Sequence, residues 1–227
     1  EEISENDEFP AISESLLKLF AIKTFRWVNL GVTAGALAVY GFATWMPVYL
    51  IREFGFSTGE LGTKLGMTAG IAGSIGVFFG GYMADRLSRY DVRWQMRLPA
   101  ITTFITAPLI LTVLNSNSAD MAMLMMIPTY IVLFAHTGPT WAILQSVSPS
   151  YMRAMAAAIA LFFINLIGLG LGPQIVGILS DSFHAVDGTG GLKIGIATVS
   201  TGSLVASVCY LLASKTMSAD SENAVSH

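Results

Sequence analysis

Charged residues crowd one short stretch of this sequence, GGYMADRLSRY at residues 80–90. Asp85, Arg86 and Arg89 lie within five positions, directly after twenty residues that contain no Asp, Glu, Lys or Arg. Asp85 falls where a helix would end, and the helix dipole disfavours an anion there by roughly 0.3–1 kcal/mol. The ionic chemistry open to Asp85 is therefore an i,i+4 ion pair with Arg89, or attraction to the free N–H groups that begin another helix.

Uncharged polar side chains recur at helical spacing inside otherwise apolar segments. Thr129, His136 and Thr140 share one helical face at i, i+7 and i+11, and Tyr40 and Thr44 lie four residues apart in an earlier segment. Such groups can hydrogen-bond an organic solute. A lone histidine in an apolar helix is more often a satisfied hydrogen-bonding group than a functional one, so both interpretations of His136 stay open.

The elements that must position these groups are long apolar helices. The chain of 227 residues is 53% hydrophobic and only 12% charged, about half the charged fraction of a soluble domain. Six charge-free runs of at least twenty residues cover 27–51, 65–84, 98–119, 121–152, 154–180 and 194–214. Because about 20 apolar residues cross a bilayer core, the pattern predicts an all-α membrane protein. The six predicted spans are about 27–51, 59–84, 98–116, 121–146, 154–180 and 192–214.

The segments outside the spans predict the orientation. Residues 1–25 are predicted to be a cytoplasmic linker, 26–215 the transmembrane domain, and 216–227 a polar cytoplasmic tail without fixed structure. Nine of the twelve Lys and Arg residues fall on the side of the termini, which the positive-inside rule assigns to the cytoplasm. The linker places Leu16, Leu17, Phe20 and Ala21 at helical spacing, so its helix is amphipathic and could lie on the inner membrane surface or be a plain connector.

Several classes of function are excluded by what the sequence lacks. There is no basic stripe for nucleic acid. Cys209 is the only cysteine, so neither an internal disulfide nor a cysteine-rich metal site is expected, and no metal or cofactor is predicted. No Asp, Glu, Lys or Arg lies in the charge-free runs, so this chain supplies no intramembrane carboxylate for a proton relay. An intramembrane serine protease would need a Gly-x-Ser-Gly turn, which does not occur, and an enzyme is not expected.

The charged stretch resembles the cytoplasmic loop motif Gly-x-x-x-Asp-Arg-x-Gly-Arg of the major facilitator superfamily. Gly81, Asp85, Arg86 and Arg89 match it, and Ser88 replaces the second glycine. The segment SPSYMRAMAAAIALFFINLIGLGLGPQIVGILSD is similar to the tenth loop and eleventh helix of bacterial spinster-like members, and LLKLFAIKTFRWVNLG resembles the linker into helix seven. These likenesses identify the chain as a C-terminal six-helix half, built from two three-helix inverted repeats. GLGLGPQIVG also resembles the Gly-Pro motif of helix five in antiporters, which would instead indicate an N-terminal half.

The resemblance implies a secondary transporter of a small organic or lipid-like solute that works by alternating access. Its partner would be the N-terminal six-helix half or a second copy, surrounded by membrane lipid, in the plasma (inner) membrane with both termini cytoplasmic. The charges of the loop motif would latch the two halves together on the cytoplasmic side. A half-length subunit or scaffold without transport activity of its own is the alternative.

The resemblance also implies that the first and fourth helices line the central cavity, where the polar faces found above would lie. The predicted substrate-binding residues are Tyr40, Thr44, His136, Thr137, Trp141 and Asn165. Asn165 lies in the fifth helix, where a hydrogen bond to another helix is as good an interpretation as contact with the solute. Glycines four residues apart, Gly76 with Gly80 and Gly168 with Gly172, are predicted to let helices pack closely.

Overall fold

The fold is entirely helical in the residues that the structure describes. A computed structural model describes residues 12–183 and 189–225. The α-helices of these ranges are α1 (Ile12–Ala21), α2 (Lys23–Phe54), α3 (Thr58–Ser88), α4 (Trp94–Leu114), α5 (Ala119–Ala135), α6 (Thr137–Ser146), α7 (Arg153–Phe163), α8 (Gly170–Ser182) and α9 (Gly190–Val225). A 3₁₀ turn at Ser150–Met152 precedes α7, and a π-helix at Ile164–Leu169 joins α7 to α8.

Six helical segments are long and apolar enough to cross a membrane. They are Lys23–Phe54, Thr58–Ser88, Trp94–Leu114, Ala119–Ser146, Ser150–Ser182 and Gly190–Ser218. The predicted all-α class and the number of spans are confirmed, since each predicted span overlaps one of these segments. The first, second, third and sixth spans are the single helices α2, α3, α4 and α9. The fourth is divided into α5 and α6, and the fifth runs from the 3₁₀ turn through α8.

Local sequence determines where several spans begin and end. The Glu60 N–H donates to Ser57 Oγ at 3.3 Å at the start of α3, and the Met121 N–H donates to Ser118 Oγ at 3.3 Å at the start of α5. These serines satisfy N–H groups that have no partner inside the helix. Gly55 ends α2 in the left-handed conformation, with φ of 71°, which glycine adopts without strain.

The last helix is longer than the sequence predicted. α9 continues to Val225, whereas the span was expected to end near Lys215 and to be followed by an unstructured tail. The backbone N–H of Thr24 donates to Asp220 Oδ2 at 2.7 Å, across 196 residues of sequence. Because Ile22 supplies no side-chain cap for α2, the Asp220 carboxylate caps it instead and holds the extension of α9 in place.

Two apolar clusters fill the bundle, and α2 and α9 contribute to both. The first includes Phe42, Met46, Ile110, Ile196 and Val199, and the second includes Phe25, Val28, Met96, Ala206 and Tyr210. Buried hydrogen bonds join these helices to α4. The Tyr49 hydroxyl donates to Leu114 O at 2.9 Å, and Ser207 Oγ donates to Ala100 O at 2.7 Å. The site described below is therefore supported by a packed pair of central helices.

Glycines bring two pairs of helices into close contact. Gly76 and Gly80 of α3 face α5, while Gly168 of the π-helix and Gly172 of α8 face α2. A Cβ added to any of these four would come within 3.0 Å of an atom of the facing helix. Gly81, the glycine of the charged motif, has no atom within 4 Å of such a Cβ. Of the two adjacent glycines at the end of α3, Gly80 therefore packs against the facing helix, whereas Gly81 has open space beside it.

Candidate functional site

A cavity of about 120 Å³ lies between α2, the junction of α5 with α6, and the π-helix. Four predicted substrate residues meet there: Tyr40, His136, Thr137 and Trp141. The rest of its wall is mainly apolar and includes Val32, Ala36, Val39, Leu133, Phe134, Thr140 and Ile164. No Asp, Glu, Lys or Arg is among the described residues that line it. The cavity therefore offers aromatic surface and neutral hydrogen-bonding groups, without a fixed charge.

Two predicted substrate residues lie apart from this cavity. Thr44 follows Tyr40 by one turn of α2, where it is exposed and does not line the cavity wall. Asn165 lies exposed in the π-helix, and its Nδ2 donates to Leu161 O at 2.7 Å. The hydrogen bond between helices that the sequence suggested for Asn165 is replaced by this bond to the preceding turn.

His136 lies at a break in the fourth span. α5 ends at Ala135 and α6 begins at Thr137. Pro139 has no N–H to donate to the Ala135 carbonyl, so the regular helical hydrogen bond is lost at this point. The His136 carbonyl receives two hydrogen bonds from Thr140, one from its N–H at 3.1 Å and one from its hydroxyl at 2.5 Å. The imidazole thus projects into the cavity wall from an irregular but hydrogen-bonded segment.

α3 packs directly against this break through its glycines. A Cβ added to Gly80 would lie 2.7 Å from Ala135 Cα, and one added to Gly138 would lie 3.7 Å from Gly81 Cα. The Ala135 carbonyl oxygen lies next to Gly80, where Cα–H groups can act as weak donors. The helix that ends in the charged motif is therefore in van der Waals contact with the segment that carries His136.

The π-helix forms another part of the cavity wall and was not predicted. Ile164 at its start lines the cavity, and Gly168 lies against Ala36 and Tyr40 of α2. π-helical turns are rare and are frequent at functional sites. The sequence predicted an uninterrupted span over 154–180, because apolar composition looks the same whether one turn is α or π.

The charged motif lies exposed at the end of α3. Arg86 donates to the Tyr82 hydroxyl at 3.3 Å, and the Ser88 hydroxyl donates to Asp85 O at 2.8 Å. The ion pair with Arg89, one of the two interactions that the sequence suggested for Asp85, does not form. Arg89 directly follows α3 and still has helical dihedral angles, φ of −65° and ψ of −24°, so the backbone would allow the pair and the side-chain conformations decide against it. Within the described ranges the Asp85 carboxylate has no hydrogen-bond or ion-pair partner.

The ion pair of this loop joins residues that sequence analysis did not single out. Arg97 Nη1 lies 3.0 Å from Asp91 Oδ2, and the Arg93 N–H donates to Asp91 Oδ1 at 2.9 Å. The Arg97 guanidinium also lies 5.9 Å from the centroid of the Trp94 ring, a distance suited to a cation–π contact. The charge of the Asp91 carboxylate is thus offset by neighbouring residues, whereas that of the Asp85 carboxylate is not.

A second missed ion pair joins α2 and α9 at the opposite end of the bundle. Lys193 Nζ lies 3.0 Å from Glu53 Oε1, and the Thr189 hydroxyl donates to the same carboxylate. Lys193 Nζ also lies 5.6 Å from the centroid of the Tyr49 ring. The sequence signal was weak, since it consisted only of opposite charges at the ends of two spans separated by 140 residues.

Comparison with known proteins identifies the family to which this chain belongs. A profile of the Major Facilitator Superfamily matches residues 2–173, which is most of the chain. The chain belongs to the major facilitator superfamily. As a member with six apolar helices long enough to span a bilayer, it is an integral membrane protein, and its family consists of transporters rather than enzymes.

The relatives within the superfamily are named as transporters of different kinds. An MFS-type efflux pump of Mycolicibacterium smegmatis is 31% identical over 194 residues, which cover 84% of this chain and 44% of the pump. A D-galactonate transporter of Escherichia coli is 24% identical over 189 residues, which cover 82% of this chain and 41% of the transporter. The chain therefore spans about half the length of the curated relatives it matches.

Solved structures share the fold of this chain over about half of their own length. A bacterial homologue of the human lysosomal transporter Spinster, in an inward-facing and unoccupied conformation, superposes with a TM-score of 0.78 at 22% identity. The match covers 92% of this chain and 51% of that one. The inward-facing and occupied conformation of the homologue gives a TM-score of 0.76. The fold is that of half a major facilitator protein, as the sequence resemblance predicted.

Proposed function

We propose that this chain is the C-terminal half of a secondary transporter that moves a small organic or lipid-like solute by alternating access. The observation that carries the proposal is the cavity in which Tyr40, His136, Thr137 and Trp141 meet beside a broken helix. Discontinuous helices near mid-membrane are where several transporter folds hold their substrates. In this proposal the plasma (inner) membrane holds the protein with both termini in the cytoplasm.

Unequal burial of the spans supports a second six-helix unit as partner. Only 28% of the apolar window of α3 and 22% of that of the fifth span are buried, against 56% for α9. Either lipid or protein can cover these exposed faces, so exposure alone does not identify a protein partner. The glycines of α3 are more informative about such a partner. Gly66, Gly70 and Gly81 of α3 have no atom within 4 Å of an added Cβ. Small residues favour close approach of another helix, and we assign that helix to the N-terminal half or to a second copy.

The chemistry of the cavity favours an amphipathic, uncharged solute over a sugar acid. A carboxylate moved into an apolar site needs a cation or several donors to offset its desolvation, and no Lys or Arg lines this cavity. Tyr40, Phe134 and Trp141 instead present aromatic surface, which packs well against alkyl chains and rings. A sugar acid would have to find its cation in the other half.

The exposed carboxylate of Asp85 supports a latch between the two halves. It has no partner among the described residues, and it stands at the carboxyl end of α3, where its charge is unfavourable. The N-terminus of a helix in the other half would provide free N–H groups and a favourable dipole. We assign this contact to the outward-facing state, in which the cytoplasmic side is closed.

The transport proposal is tested by reconstituting the full-length protein in liposomes and following a fluorescently labelled alkyl glucoside and radiolabelled D-galactonate. We expect movement of the alkyl glucoside, and about a tenfold or greater loss of transport for Trp141→Ala, since an aromatic side chain in contact with the solute contributes roughly 1.5–3 kcal/mol. Trp94→Ala, at the start of α4 and outside the cavity lining, is the control and should transport normally.

Two results would contradict the proposal in different ways. Movement of D-galactonate but not of the alkyl glucoside would show that the substrate class is wrong. If a folded protein moves neither solute and other amphipathic probes also fail, the alternative of a subunit or scaffold without its own transport activity is favoured. The number of helices supports that alternative. Six helices line only part of a central pathway, and alternating access needs two moving units.

A further inference from the structure

Three buried side-chain atoms in the described part of the chain have no hydrogen-bond partner. They are Asn29 Oδ1, His136 Nδ1 and the Tyr210 hydroxyl. Tyr210 is completely buried, and Asn29 is 4% exposed. Leaving a buried polar group unpaired costs its full desolvation penalty, and native proteins keep few such groups. Each of these three groups therefore calls for an explanation.

The three groups belong to three different spans but lie at a similar level. Asn29 lies six residues after the first span begins, Tyr210 eight residues before the sixth ends, and His136 ten residues before the fourth ends. These span ends are all on the side of the bundle that carries Asp85. With a rise of about 1.5 Å per residue, the groups stand roughly 9–15 Å from that end.

His136 connects Tyr210 to the cavity, whose wall His136 lines. The rings of His136 and Tyr210 have centroids 6.1 Å apart. Tyr210 also fills a notch at Gly31 of α2, where an added Cβ would lie 2.6 Å from Tyr210 Cε1. Thr140 lies beside the Tyr210 hydroxyl without hydrogen-bond geometry, and its own hydroxyl donates to the His136 carbonyl. Tyr210 is therefore close to a cavity residue and is left with a free hydroxyl.

Asn29 extends the same surface along α2. It precedes Val32, Ala36 and Tyr40 by three, seven and eleven residues, and these three line the cavity. Residues at this spacing share one helical face. The unpaired amide oxygen therefore continues the cavity-lining face of α2 toward the Asp85 side.

We propose that Asn29, His136 and Tyr210 form a polar subsite that binds the hydroxyl-bearing, uncharged head group of the solute. The inference rests on the proposed transport function and names the chemistry of its substrate. An amide oxygen accepts hydrogen bonds, an imidazole nitrogen accepts or donates according to its tautomer, and a tyrosine hydroxyl both donates and accepts. Hydroxyl groups satisfy this set because each of them can donate and accept. The apolar part of the solute then lies against the aromatic wall formed by Tyr40 and Trp141.

Charged head groups fit the polar subsite less well. A carboxylate would place its acceptor oxygens against the amide oxygen of Asn29, which is itself only an acceptor. An ammonium group could donate, but the described residues of the cavity provide no carboxylate to offset its buried charge. The polar subsite therefore selects an uncharged polyol head, such as glycerol or a sugar, attached to an apolar chain.

The test compares three probes that share an eight-carbon chain: glycerol monooctanoate, octanoate and octylamine. Binding to the full-length protein in nanodiscs is measured by calorimetry, with empty nanodiscs subtracted. We expect glycerol monooctanoate to bind most tightly. Tyr210→Phe should weaken its binding about three- to tenfold, the effect of losing one neutral hydrogen bond. The melting temperature of this variant should be unchanged or higher, because a buried hydroxyl without a partner is removed.

Tyr49→Phe is the matched control. The Tyr49 hydroxyl is equally buried but donates to Leu114 O at 2.9 Å, outside the cavity. This variant should melt at a lower temperature and bind glycerol monooctanoate with unchanged affinity. If Tyr210→Phe instead loses stability and keeps its affinity, its hydroxyl is structural and the polar subsite is refuted. Tighter binding of octanoate or octylamine would refute the head-group assignment.

The liposome assay separates failure of this inference from failure of the transport proposal. Binding of glycerol monooctanoate that depends on Tyr210, without movement across the membrane, would refute transport and leave the polar subsite intact. Equal transport and equal affinity in the wild type and in Tyr210→Phe would refute the polar subsite and leave transport intact.

Discussion

At the scale of single residues, Asp85 and Asp91 show how position decides the role of a charge. Asp91 accepts from the Arg93 N–H and pairs with Arg97, so its charge is offset inside the loop. Asp85 stands exposed at the carboxyl end of α3 and has no partner among the described residues. Its electrostatic free energy therefore depends on what approaches from outside this half, which is the physical basis of the proposed latch.

Asp85→Asn in the full-length transporter should shift the population from the outward-facing to the inward-facing state. The helix-dipole contribution of roughly 0.3–1 kcal/mol corresponds to about a two- to fivefold change in the equilibrium. Distances between spin labels on the two halves, measured by electron paramagnetic resonance, report both states. Asp91→Asn is the control, because it breaks only a contact within the loop and should leave the populations unchanged. Equal populations in the wild type and in Asp85→Asn would refute the latch.

At the scale of elements, the two irregular segments of the bundle both border the cavity. The break between α5 and α6 follows from Pro139, and it places the His136 side chain in the cavity wall. The π-helix brings Ile164 to the same cavity and Gly168 against α2. Irregular backbone inside a membrane is tolerated where it is packed against protein or lines a cavity. In this bundle α3 packs through Gly80 against the break between α5 and α6.

Gly80→Ala and Gly81→Ala should have opposite effects on the stability of this chain. A methyl group at Gly80 would meet the Ala135 backbone, and such overpacking costs about 1–3 kcal/mol. At Gly81 the space is open, and alanine in a helix is favoured over glycine by about 1 kcal/mol. We expect a lower melting temperature in detergent for Gly80→Ala and an unchanged or higher one for Gly81→Ala. Equal destabilisation by both would show that α3 does not pack on the break in this way.

At the scale of the whole molecule, burial is concentrated on one side. α2 and α9 form the centre, tied by Asp220 at the Thr24 end and by the Glu53–Lys193 pair at the other. α3 and the fifth span leave most of their surface outside the packed region. The bundle has its own packed core, yet it presents two apolar spans to a neighbour or to lipid.

The native assembly should therefore contain two six-helix units. An antibody against the C-terminal tail should detect either a polypeptide near twice 24.2 kDa in its source membrane, or a 24.2 kDa chain that migrates as a dimer in native mass spectrometry. The physical reason is that alternating access moves one unit against another. A monomer of 24.2 kDa that transports solute by itself would contradict this expectation.

The sequence by itself determined the number and approximate limits of the spans, and the polar faces that meet in the cavity at Tyr40, His136, Thr137 and Trp141. Both follow from properties of each segment alone, namely the cost of placing a charge in lipid and the periodicity of one helix. Tertiary structure decided the remainder. Which helix end Asp220 caps, where a π-turn forms and why Tyr210 lies beside His136 all depend on which surfaces approach each other, and that information is spread over segments far apart in the chain.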